Sequence, residues 1–244
     1  MADNVVTITW LGHGTFLYES PGGKRLLVDP WIDENPAFPQ GWKGRLEQGL
    51  DGILVTHGHF DQIGSLIELA QVTHAPIFGI FDMEGWLQKQ GIGEGQFIGF
   101  NKGGTVDAAG VRATMVPAQH SSSHNDNGLP VYLGDPVGYI LRFDNGVCVY
   151  HTGDTCVFGD MRIYGEIYRP DVAVLPIGDF FTMGPDQAAY AAKLIGAPRV
   201  IPCHFGTFPI LIGTPEELRA GLTGSEIEVV ALEPGDSTTI SPRS

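Results

Sequence analysis

The hydrophobic pattern of the chain is dominated by short apolar runs set between polar turns. "VVTITWL" (5–11) alternates apolar and polar residues, as a strand with one buried face does. "RLLVD" (25–29) and "GILVT" (52–56) are continuous apolar runs and predict strands covered on both faces. Residues 105–120 read as two strands around Ala109-Gly110, and 138–154 as a hairpin in which Asn145-Gly146 predicts a two-residue type I′ turn. "DVAVLPIG" (171–178) and "RVIPCHFG" (199–206) predict further buried strands, and "EIEVVAL" (226–232) a last long one. Helical signals lie between them. Ser65 and Glu68 have capping-box spacing at the head of 65–71. Over 183–198, Gly184 is placed as N-cap, Pro185 at the first helical position and Gly196 at the stop. Thr214, Pro215 and Glu217 open a helix over 214–222 in the same capping register. No linker, low-complexity tract or repeat interrupts the chain. The expected architecture is one domain over 1–244 with two similar β-rich halves, a seam near residue 110, sheets face to face and helices outside.

Residues 53–64, "ILVTHGHFDQIG", run an apolar strand straight into His57 and His59. Residues two apart in an extended chain point the same way. Both imidazoles can therefore aim at one point past the strand's carboxyl end, where α/β folds place ligands. Imidazole nitrogens bind borderline metals such as zinc, and a catalytic site uses about three protein ligands plus a water. Two histidines are half of such a site. Candidates for the rest follow other predicted strands: His120 after "ATMVPAQ", Asp154 in "YHTGDT" and His204 in "VIPCHFGT".

Together these residues carry a resemblance. The order T-H-x-H-x-D, a strand-end histidine, G-D-T and a final histidine resembles the metallo-β-lactamase-fold superfamily. "ITWLGHGTF", "VPAQHS", "YHTGDT", "LPIGDFFTMGP" and "PCHFGTFP" resemble a branch of metal-dependent hydrolases similar to the L-ascorbate-6-phosphate lactonases, over almost the whole chain. The resemblance implies an α/β (α+β) fold, an αββα sandwich of two mixed sheets with a metal site at one edge. It implies one or two divalent ions, zinc or manganese, with iron a further candidate. By matching position it puts His57, His59 and His120 on a first metal, Asp154 between two metals, and Asp61 and His204 on the second. Asp61 would orient the attacking water or take its proton, and it also suits an N-cap. The family pattern ends in a histidine where this chain has Gln62. An amide oxygen is a harder and weaker donor than imidazole. Three readings of Gln62 stand side by side: a weaker second site, a preference for a harder ion such as Mn²⁺ or Mg²⁺, or a hydrogen bond to a metal-bound water. His13 in "LGHGTF" and His151 in "YHTGD" are placed as catalytic support, orienting a ligand or touching substrate. Asp29 in "LLVDPW" either supports the metal loops or caps a turn before Pro30.

Composition narrows the partners. The 244 residues carry 28 acidic and 14 basic side chains, a formal net charge of -14. That balance opposes nucleic acid, whose affinity comes from Lys and Arg on phosphates, and it opposes anionic membranes. No apolar run is long enough to span a bilayer and no signal peptide is visible, so the cytoplasm is the expected location. Three cysteines without an export signal read as reduced thiols. Cys156 and Cys203 flank candidate ligands and are thiolate candidates as well as space-fillers. His124 reads as a solvated loop histidine.

The expected partner is a small molecule, and a homo-oligomer is compatible with the sequence. Hydrolysis of a lactone or other ester, phosphorylated or not, comes first, with Lys102, Arg142 or Arg162 as candidate phosphate contacts. A phosphodiesterase or nuclease is the second reading. A catalytically inactive metal-binding sensor or scaffold is the third, favoured only by Gln62.

Overall fold

A computed structural model describes residues 4–242. In chain order the elements are β1 (Val6–Trp10), β2 (Phe16–Glu19), β3 (Arg25–Val28), α1 (Trp42–Glu47), β4 (Gly52–Leu54), α2 (Phe60–Ile63), α3 (Leu66–Thr73), β5 (Ile77–Ile80), α4 (Glu84–Lys89) and β6 (Phe97–Phe100). The chain continues with β7 (Thr105–Ala108), β8 (Val111–Pro117), β9 (Ser123–Asp126), β10 (Leu129–Tyr132), β11 (Val137–Arg142), β12 (Cys148–His151), α5 (Met161–Tyr168), β13 (Val172–Pro176), α6 (Pro185–Ile195), β14 (Arg199–Cys203), α7 (Pro215–Gly221), β15 (Glu228–Val229) and β16 (Ser237–Ile240).

The strands build two seven-stranded mixed sheets, ordered β16-β1-β2-β3-β4-β5-β6 and β15-β14-β13-β12-β11-β8-β7, plus a β10-β9 ribbon. In each sheet the antiparallel part gives way to parallel strands, β3-β4-β5-β6 in one and β12-β13-β14-β15 in the other. The parallel strands are short apolar runs because both of their faces are covered. Val172, Val174 and Ile201 pack into the core shared with the first sheet, while Ala173, Leu175 and Val200 pack under α6 and α7. This is the αββα sandwich. The chain passes between sheets at residues 101–104, and the last strand returns to the first sheet, pairing Val6 with Ile240.

Several local expectations are corrected. The 138–154 hairpin has a three-residue loop: Gly146 N donates to Phe143 O at 3.0 Å and Phe143 N to Val147 O at 2.9 Å. Only Gly146, at φ 89°, is left-handed, so the turn is type I with a glycine bulge instead of type I′. Ser65 does not cap α3 with its side chain; its hydroxyl accepts from Ile32 N at 2.9 Å, and Glu68 pairs with Lys43. The strand expected over 226–232 shrinks to Glu228–Val229 at a sheet edge. The helix over 185–195 has Pro185 in its first turn and the left-handed Gly196 behind it, and the Thr214/Glu217 capping box is formed.

Candidate metal centre

The parallel strands of both sheets end at one edge of the sandwich, and the candidate side chains leave from there. His57 and His59 follow β4, His120 follows β8, Asp154 follows β12 and His204 follows β14. His57 Nε2 lies 3.0 Å from His59 Nδ1, and His120 Nε2 lies 3.2 Å from the same atom. Gly58 is required between the two histidines by a different neighbour than the imidazoles: a Cβ there would meet Leu133 Cβ at 2.8 Å.

Hydrogen bonds outside the cluster set the tautomers. Thr56 Oγ1 donates to Asp29 Oδ2 at 2.7 Å, and Thr56 N donates to Asp29 Oδ1 at 2.8 Å. With its proton on Asp29, the Thr56 oxygen accepts from His57 Nδ1 at 3.0 Å, which leaves the Nε2 lone pair facing the cluster. Asp29 is therefore tied to the metal-facing loop and not to a turn at Pro30. On the other flank Ser121 Oγ lies 3.1 Å from His59 Nε2, turning Nδ1 inward. Burial drives the His57 pKa down to about 3 and also lowers that of His120, so both imidazoles are neutral donors.

A second group stands beside the first. Asp61 Oδ2 is 2.9 Å from His13 Nε2 and 3.7 Å from His204 Nε2. Asp154 Oδ2 lies between the groups, 3.1 Å from His204 Nε2, 3.8 Å from His57 Nε2 and 3.2 Å from Gln62 Nε2, which donates to it. Burial opposes charge here, yet the carboxylates and imidazoles outweigh it. Asp61 and Asp154 are held well below the usual carboxylate range, and His204 is pushed up to about 10. Gln62 is fully buried, and its Oε1 has no hydrogen-bond partner among the described residues.

The two groups open into a cavity of about 340 Å³. His13, Asp61 and Asp154 line its floor, and Phe60, Phe181, Phe208 and Leu211 its apolar walls. Sequence reasoning missed Thr207, Ser121, Phe208 and Leu211, whose only signal is proximity in space. His151 is not on this cavity. It sits in the core between the sheets, its Nδ1 2.8 Å from the Tyr18 hydroxyl. Cys203 is buried with its thiol pKa pushed up by burial, and Cys156 is exposed. Among the described residues, neither belongs to a group spaced for a metal. His124 is half-buried against Trp86 on β9. Lys102 pairs with Asp135, Arg142 donates to Tyr168 O, and Arg162 pairs with Glu166, so none of the three lines the cavity.

Residues 24–205 match the Beta-lactamase superfamily domain. The chain is 54% identical over 235 residues to a UPF0173 metal-dependent hydrolase of Herpetosiphon aurantiacus, spanning 96% of this chain and 97% of that one. It is 55% identical over 236 residues to the corresponding protein of Chloroflexus aurantiacus, again across 96% and 97%. The chain belongs to the UPF0173 metal-dependent hydrolase family. A solved member of the same structural kind, a metallo hydrolase from the archaeon Ignicoccus hospitalis, superposes with a TM-score of 0.86 at 34% identity, covering 98% of this chain and all of that one.

A UPF0173 hydrolase needs a cation, and the donor set fits one. Two sets, His57/His59/His120 and His13/Asp61/His204, each bring three donor atoms within 4.8 Å of one another. Four-coordinate zinc with nitrogen at about 2.0–2.1 Å would space its donors by about 3.3 Å, close to the 3.0 and 3.2 Å in the first set. Three converging imidazole nitrogens cannot all satisfy one another by hydrogen bonds, whereas a cation satisfies all three. The Asp29 support has a measurable effect. Asp29→Asn should weaken zinc binding by roughly 10–100-fold, because the amide NH2 that replaces one carboxylate oxygen cannot accept its Thr56 bond. Competition against a chromogenic chelator measures this; unchanged affinity would show that the Thr56 relay does not set the His57 tautomer.

Proposed function

We propose that this chain hydrolyses a small, uncharged ester or lactone bearing an apolar group. One observation carries the reading: two metal-spaced clusters share a cavity whose walls are aromatic and aliphatic, with no Lys or Arg among its lining residues. A phosphate group would find its countercharge in the bound cations alone, with no Lys or Arg on the lining to clamp it. A phosphorylated substrate is thus the weaker fit.

In this reading His57, His59 and His120 hold a divalent cation, zinc or manganese, and Asp154 sits beside it. When bound, the cation supplies Lewis acidity and brings the pKa of a water toward neutrality. The chain does the rest. Asp61 stays ionised at the cavity floor, and a carboxylate with so low a pKa is a poor proton store. Its part is to accept a hydrogen bond from the attacking water and aim it. Phe60, Phe181 and Phe208 exclude bulk water and hold the apolar part of the substrate. Attack at the carbonyl carbon then breaks the acyl–oxygen bond and gives an acid and an alcohol, or a hydroxy acid from a lactone.

The test is a substrate series on zinc- or manganese-loaded protein: p-nitrophenyl acetate, butyrate and octanoate, γ-butyrolactone and γ-nonalactone, and bis(p-nitrophenyl) phosphate. Each added methylene that reaches the walls contributes about 0.8 kcal/mol, so kcat/KM should rise roughly fourfold per methylene until the cavity is full. A phosphodiester outpacing every ester would favour phosphodiesterase chemistry. No turnover at full metal loading would favour a binding protein.

A further inference from the structure

Position 62 carries an amide where the motif places an imidazole, yet the second cluster does not lack one. His13 comes from the turn between β1 and β2, far from the HxHxD segment in sequence. Its ring centroid lies 3.9 Å from that of His204, and its Nε2 lies 2.9 Å from Asp61 Oδ2. The backbone fixes this approach. His204 N donates to His13 O at 3.1 Å, and Trp10 Nε1 donates to the same oxygen at 2.9 Å. Both His13 and His204 hold left-handed backbone, φ 54° and 55°, a conformation uncommon outside glycine that persists where surroundings over-determine it.

Each ring nitrogen of His13 has one partner, and two tautomers satisfy them. Thr207 Oγ1 donates to Phe205 O at 3.4 Å and lies 3.0 Å from His13 Nδ1. Where that hydroxyl accepts from Nδ1–H, the Nε2 lone pair faces Asp61, the form that a cation selects; in the other tautomer Nε2–H donates to Asp61. A lone pair and a carboxylate oxygen at 2.9 Å repel unless a positive charge lies with them. Gln62 is differently employed. Its Nε2 donates to Asp154 Oδ2, and the reversed amide would set oxygen against oxygen, so the N–H end faces the carboxylate.

We propose that His13, with Asp61 and His204, holds a second divalent cation, and that Gln62 orients Asp154 in place of binding metal. The proposal rests on the two-cluster reading above but concerns only the second ion. His13 moves the missing imidazole from the helix after the HxHxD loop to a turn of the neighbouring hairpin.

The first experiment uses wild-type protein labelled with ¹⁵N-histidine, with zinc added one equivalent at a time and the ring nitrogens followed by long-range proton–nitrogen spectra. One equivalent should move His57 Nε2, His59 Nδ1 and His120 Nε2. The other should move His13 Nε2 and His204 Nε2 together. Movement of His204 while His13 stays unchanged overturns the proposal and leaves the first cluster intact. No movement of any ring overturns the metal reading as a whole. The second experiment is calorimetric. His13→Asn keeps a residue tolerant of left-handed backbone and removes the imidazole. It should reduce the stoichiometry from two zinc ions to one, with affinity for the second falling at least about 100-fold. H13N combined with Q62H returns an imidazole to position 62 and should restore the second ion. H13N that still takes two ions at wild-type affinity overturns the proposal.

Discussion

Replacing His59 with alanine should abolish zinc binding at the three-histidine cluster and lower ester turnover by on the order of 10³-fold or more. His59 Nδ1 is the atom on which the cluster closes, lying within 3.2 Å of both His57 Nε2 and His120 Nε2. Its removal leaves two imidazoles, and about three protein ligands are needed to hold a catalytic ion. Loss of Lewis-acid stabilisation worth several kcal/mol corresponds to that rate loss. His59 is half-buried at the head of the short helix α2, and no side-chain cap bond is lost with it. The far-UV circular dichroism of the variant should therefore match wild type. Full activity at wild-type zinc content would remove the cluster from the reaction.

The metal-free protein should be most stable near pH 6.5 and weaken on both sides. Burial holds His151 at about pKa 4 and His57 at about 3, against about 6.5 in the unfolded chain. Below pH 6.5 the unfolded state binds protons that the native state refuses, so stability falls as pH falls toward those lower values. His151 alone accounts for up to about 3 kcal/mol of this loss. His204 works in the opposite direction. The carboxylates of Asp154 and Asp61 outweigh its burial and push its pKa up to about 10, so its contribution is complete below pH 6.5 and is lost as pH rises toward 10. Urea unfolding of chelator-treated protein at pH 4.5, 6.5 and 9 measures both limbs. His151→Gln should flatten the acid limb and leave the alkaline limb in place. Zinc loading should remove the alkaline limb, since His204 then no longer carries a proton. Equal free energies at all three pH values would show that these imidazoles are not held as the geometry implies.

What the sequence revealed and what it hid have physical reasons. His57, His59, His120, Asp154 and His204 were legible because each stands just past an apolar run, and strand ends gather at one edge in this architecture. His13 was legible only as support for a ligand or substrate; its approach to His204 depends on the grip of Trp10 and His204 on its carbonyl, which no local pattern shows. The same holds for Leu133, which dictates Gly58 from 75 residues away. Strands β5 and β6 escaped notice because glycine interrupts both, at Gly79 and Gly99. These two lie opposite one another and admit the rings of Phe97 and Phe81. The ribbon of β9 and β10 and the last strand are short and largely polar, so their periodicity carries little signal. The cavity walls were hidden for a simpler reason. Phe60, Phe208 and Leu211 look like core residues, and only the fold turns them onto the cavity.

The returning strand β16 sets an order of assembly. It zips against β1, and just before it Trp10 exchanges backbone bonds with Gly235 and Asp236. The hairpin that carries His13 gains its outer neighbour only when residues 235–240 have been made. A chain that has made β1 to β15 still presents β1 as an unzipped margin of its sheet. Vectorial synthesis thus leaves the support of the His13 hairpin until residues 235–240 have emerged.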